Sequence, residues 1–174
     1  PDSGFPEYWH NPADTLDKMD KTLLTEHTSL YAAALLELCT SDRFPLDPRS
    51  TASVVDSALA DLKKRAAGAL DIEPAMKAAA RFKSAAEAMM AKAGSADPSA
   101  LNTATRRISH ALNAALYTQQ GPFDHDRASG ATIFPGLQRL SEYLTAGPKS
   151  HEGLVLYTRL VRERNRACAA LEDA

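Results

Sequence analysis

Apolar side chains return at helical spacing along most of this chain, and proline, glycine and capping residues cut the pattern into segments. From Lys21 to Ser41, Leu24, Tyr31, Leu35 and Leu38 keep that spacing, and Asp20 stands where an N-cap belongs. Arg43 to Pro48, RFPLDP, interrupts the pattern twice with proline and reads as a linker or domain boundary. A second helix is predicted from about Ser50 to Ala69, with Val55, Leu59, Leu62 and Ala66 on one face. A third runs from Glu73, with Asp71 as its cap and Pro74 in its first turn, through Phe82, Ala86 and Met89 to a stop at Gly94. After the turn GSADPS, Asp97-Pro98 opens a fourth helix carrying Leu101, Ala104, Ile108, Leu112 and Ala115. A short helix over Leu137 to Leu144 ends at AGP, and the last, from about Ser150 to Glu172, turns Leu154, Tyr157, Val161 and Cys168 inward. No strand-like alternation of useful length interrupts this series, so the expected fold is an all-α helical bundle.

The stretch QQGPFDHDRASGATIFPG, roughly 18 residues, has no period and is long for a loop inside a helical domain. Phe123, Ile133 and Phe134 call for burial, so an ordered loop is expected rather than a disordered one.

Composition fits the helical reading. At 174 residues the chain can build one ordinary core. Hydrophobic residues make up 44%, yet aromatics are only 6% and alanine is abundant, a mixture that favours helices packed through small side chains. A formal charge of −2 gives no electrostatic reason to expect a nucleic-acid partner. No apolar run approaches the roughly 20 residues that span a bilayer. The start at Pro1, without Met, suggests a processed chain or an excised piece of a longer one. Cys39 and Cys168 fall in helical patterns and read as small buried hydrophobes rather than a disulfide or a metal pair. His27 and His110 read as polar-face residues, and RLVRERNRA as a solvated helix surface with Arg159, Glu163 and Arg166 on one side.

The opening segment YWHNPADTLDKMD resembles the closing segment of the co-catalytic zinc peptidases that include bacterial aminopeptidases and glutamate carboxypeptidase II. In that family a Tyr-His pair, a short spacer and Asp-Thr deliver the last metal ligand. Tyr8-Trp9-His10 and Asp14-Thr15 match the pattern, with Trp9 directly before the ligand position. The remainder is similar to the transferrin receptor-like dimerisation domain that follows this segment in the carboxypeptidase branch. FPLDPRSTASVV, LNTATRRISHALNAAL and FDHDRASGATIFPGL carry that likeness.

The resemblance implies two parts: residues 1–43 as the C-terminal tail of a peptidase domain, and residues 44–174 as a dimerisation bundle. It implies His10 as a zinc ligand in an intact parent holding two zinc ions, Asp14 orienting a ligand from behind, and Trp9, His125 and Arg127 facing a peptide substrate. Ala128 stands where the family's pattern has tyrosine. The other ligands and the general base belong to an upstream peptidase domain, so this chain alone is expected to bind no zinc firmly and to catalyse nothing. Calcium binding by Asp14, Asp17 and Asp20 is not expected, because the segment lacks the glycine and bidentate glutamate of a calcium loop. The expected role is to pair subunits of a secreted or periplasmic exopeptidase and to lend it one ligand. A non-catalytic, receptor-like interaction module built on the same bundle is the alternative.

Overall fold

The computed structural model describes residues 6–119, 123, 126 and 132–174. Among them there is no strand, and the protein is an all-α helical bundle. Seven helices follow one another: α1 (Lys21–Thr40), α2 (Pro48–Ala66), α3 (Glu73–Lys92), α4 (Pro98–Tyr117), α5 (Pro135–Gln138), α6 (Leu140–Ala146) and α7 (His151–Asp173). The chain divides into two compact units, Pro1–Pro45 and Leu46–Ala174. No helix of the described residues is long and apolar enough to cross a membrane.

Capping residues set most helix starts. Asp47 accepts from the Arg49 N–H with Pro48 in the first turn, Asp97 from the Ala100 N–H with Pro98, and Ser150 from the Gly153 N–H. Each satisfies a donor that would otherwise be orphaned at a helix N-terminus. Asp71 likewise accepts from the Glu73 N–H at 2.9 Å, although Ile72 is the boundary residue of α3. Two expected ends move. α2 stops at Ala66, where Ala67 (φ 46°) and Gly68 (φ 88°) turn left-handed, rather than at Ala69. α3 ends at Lys92 with right-handed Ala93 beyond it, so Gly94 is not a left-handed stop.

In the second unit α2 packs on α3, and α3, α4, α5 and α6 all pack on α7. The α2 stripe is as expected: Val55, Leu59, Leu62 and Ala66 are buried. α3 adds Ala75, Ala78, Ala79, Phe82 and Ala86, and α4 adds Thr105, Ile108, Leu112, Ala115 and Leu116. The expected inner face of α7 is displaced by about a residue. Gly153, Leu156, Leu160, Ala167 and Leu171 are buried, while Leu154 and Tyr157 are exposed and Val161 and Cys168 half-buried. Close approach decides it: a Cβ at position 153 would collide with the Gly147 carbonyl oxygen, so that side of α7 must carry a glycine.

The segment entering α5 is anchored by Phe134. Its N–H donates to the Leu116 carbonyl at 3.0 Å, and its own carbonyl accepts from Leu137 and Gln138. Phe134 adopts a left-handed conformation (φ 56°, ψ 57°) that costs an L-residue about 1–2 kcal/mol. Burying its ring to 2% exposure returns about 1.5–3 kcal/mol, so packing prevails over strain. Ile133 is half-buried against the core, but Phe123 is 99% exposed, contrary to the expectation that it would be covered.

The first unit has a different character. A 3-10 turn, Leu16–Lys18, precedes α1, and Asp20 caps α1 by accepting from the Thr22 and Leu23 N–H groups. No residue of α1 is buried, against the expected inner stripe, and Cys39 is exposed with it. At 100° per residue, Leu24, Tyr31, Leu35 and Leu38 lie on one side, Leu23 and Leu30 on a second, and Leu36 on a third. The helix is therefore apolar on several sides.

Phe134→Ala is expected to lower the unfolding free energy by about 3–5 kcal/mol in urea denaturation. Phe123→Ala should stay within about 0.5 kcal/mol of the parent, as for an exposed side chain. Equal effects would contradict the anchoring role of Phe134.

Candidate functional site

The site read from the sequence is the loop before α1, and asparagine chemistry shapes it. Asn11 Nδ2 donates to the Glu7 carbonyl at 2.7 Å, and its Oδ1 accepts from the Ala13 N–H at 2.8 Å, bridging Pro12. Backbone bonds from Trp9 to the Pro6 carbonyl, Asn11 to Tyr8 and Asp14 to Asn11 tighten the same turn. The result holds His10 in a left-handed conformation, φ 61°, with its ring exposed.

The Trp9 and His10 rings stack, with centroids 3.7 Å apart and planes 16° off parallel. Trp9 is 45% exposed and so presents an aromatic surface beside the imidazole. Asp14 uses its backbone N–H in the turn, and the carboxylates that follow serve local structure. Asp17 accepts from the Thr15 hydroxyl and, at 3.0 Å, from Lys18; these bonds, Thr15 first, hold its carboxyl below the usual value. Asp20 is spent on the helix cap. Of the three aspartates weighed for calcium, two therefore have structural partners.

The donor set can be tested for zinc on geometry alone. A zinc site takes three or four protein ligands, and no group of three His, Cys, Asp or Glu among the described residues is placed to hold a metal ion. The loop presents one imidazole and one aromatic neighbour. His125 and Arg127, read as substrate-facing, lie outside the described residues. His27 and His110 are exposed on α1 and α4. Cys168 is half-buried on α7, where burial pushes its thiol up from the usual value. No protein-family model, curated protein or solved structure matches the chain.

Asn11, whose two side-chain bonds brace the loop, was not among the residues singled out from the sequence. An Asn immediately before proline in a turn is a recognised signal of such bracing, and it was present in HNPAD.

Asn11→Ala removes both side-chain bonds and is expected to raise the rate of limited proteolysis between Glu7 and Asp14 several-fold, without altering the second unit's melting. An unchanged cleavage rate would mean that the backbone turns alone hold His10.

Proposed function

We propose that the chain is the C-terminal region of a co-catalytic zinc exopeptidase of the aminopeptidase and glutamate carboxypeptidase kind. In this reading residues 1–43 close the peptidase domain, and residues 44–174 form a transferrin receptor-like bundle that pairs two subunits of a secreted or periplasmic protein. One observation carries it. His10 stands exposed on a braced loop just before α1, a helix apolar on several sides that buries none of its residues. Helices of that composition belong inside protein. A peptidase domain would cover α1 and bring the remaining ligands and the general base to His10.

Zinc held by His10 together with ligands from a peptidase domain would supply a water activated for attack on a peptide carbonyl. The chain's own share is positional. Asn11 fixes the backbone that aims the imidazole, Trp9 lies against its ring, and Asp14 takes the orienting role of carboxylates around metal ligands.

Support for pairing comes from the bundle's alanine-rich side. Ala85, Met89, Ala100 and Ala104 line an open groove of about 660 Å³ along α3 and α4, which Asp97, Arg107 and Asp173 at the end of α7 also border. Small residues there allow a second copy to approach closely, and methionine adapts to it. A two-fold contact of this kind brings each groove to its own copy.

In the intact protein, His10→Ala should lose bound zinc and exopeptidase activity together, while in the 174-residue chain Ala104→Arg should lower the sedimenting mass from about twice 18.7 kDa toward one chain. Zinc content and hydrolysis that survive His10→Ala would remove the peptidase reading. A wild-type chain that sediments as a monomer at micromolar concentration would remove pairing by this bundle.

A further inference from the structure

α7 carries a second concentration of charge that the peptidase reading does not use. Gln119, Gly136, Arg139, Arg159, Arg162 and Glu163 line a cleft of about 390 Å³ between α7, the α5–α6 turn and the residue just past the end of α4. Its floor is built rather than solvated. The Glu163 carboxylate lies where the side chain of any residue but glycine at position 136 would have to go. Glu163 pairs with Arg166 at 2.7 Å, and both are only partly exposed. Arg166 also donates to the Thr118 carbonyl at 2.5 Å, tying α7 to the end of α4. At the side of the cleft Arg139 is engaged by Glu142 at 2.7 Å.

Arg159 and Arg162 differ from these. They stand one turn apart on α7, both exposed at the cleft, and make no hydrogen bond or ion pair among the described residues. Arg139 meets the Glu142 carboxylate, and the carboxylates of Glu163 and of Asp126, which accepts from the Gln119 N–H at 2.7 Å, lie at the same cleft, but neither Arg159 nor Arg162 is paired with any of the three. Like charges one turn apart on a helix repel and are destabilising unless a counter-charge joins them.

We propose that this cleft binds a small oxyanion, a carboxylate- or phosphate-bearing molecule, held by the Arg159 and Arg162 guanidinium groups against the wall formed by Gln119 and Arg139. The planar fork of arginine matches two oxygens of either group. The volume lies within the roughly 300–1,000 Å³ of ligand pockets, larger than a bare ion requires. The site stands whether or not the peptidase reading holds.

Glu163 makes the site pH-sensitive. Burial pushes its carboxyl up from the usual value, against the opposing pull of Arg166. The other charged groups around it are Arg159 and Arg162 from α7, Arg139 at the α5–α6 junction with Glu142 behind it, and Asp126, whose carboxylate accepts from the Gln119 N–H. An ionised Glu163 repels an incoming anion, and a protonated one does not. Anion affinity therefore rises as pH falls through the raised value.

The test is calorimetric titration of the full chain with inorganic phosphate and with succinate at fixed ionic strength. Saturable binding is expected, weakened by about tenfold or more in Arg159→Ala/Arg162→Ala and unchanged in Arg106→Ala/Arg107→Ala, which removes equal charge from α4. Binding of phosphate alone assigns a phosphate ligand, and of succinate alone a carboxylate one. Sulfate, whose charge is constant, serves for the pH series: Glu163→Gln should bind it more tightly and flatten the dependence. The absence of saturable binding by both anions, or an equal loss in the two double variants, would overturn the proposal.

Discussion

The distance at which neighbouring helices can approach α7 governs the second unit. α3, α4, α5 and α6 all pack on this one helix. Its buried face alternates bulk with absence of bulk: Leu156, Leu160 and Leu171 fill space, while Gly153 and Ala167 open it. α3 answers with Ala75, Ala78, Ala79 and Ala86 around a single Phe82. Alanine contributes little apolar area, but it lets backbones approach, and close-packed interiors draw their cohesion from many short contacts. Larger side chains then close the ends, with Phe134, Leu137, Leu140 and Tyr143 on the α5–α6 side. Ion pairs such as Arg81–Glu172 and Lys83–Asp56 join helices at the exposed surface, where solvent screening leaves them a minor part in stability.

How far the sequence disclosed this depends on how many apolar stripes a helix carries. α2 has one, and its buried residues could be read directly from the spacing. α7 has two, offset by a residue, and the buried one runs through Gly153, where a side chain would collide with Gly147. Nothing local reports that contact. Helix ends were legible where Asp or Ser precedes proline or an apolar run. They were less so where Ala67 takes a left-handed conformation that its side chain disfavours. Burial of Phe134 followed from its apolarity, but the same reasoning failed for Phe123, because a loop offers no period to say which ring turns inward.

The candidate site was legible in a narrower sense. The resemblance read around His10 raised the expectation of one metal ligand, yet a metal site is a set of donors converging from separate elements, and one segment cannot disclose the others. The arginine cleft shows the same limit from the other side. Arg159, Glu163 and Arg166 were visible as a helix face, but their spacing could not show that Gly136 lets Glu163 sink against the backbone and form a floor.

The two units make different demands on their surroundings. Leu46–Ala174 encloses its own core, whereas α1 has a good cap and no buried side chain, and a 20-residue helix that buries none of its apolar side chains is marginal in water. Under the proposed function, a peptidase domain covers α1 in the intact protein. Amide hydrogen exchange on the 174-residue chain tests that most directly. Protection comparable to global unfolding is expected along Leu156–Leu171 and around Leu59, with fast exchange across Lys21–Thr40. Equal protection of α1 and α7 would contradict it.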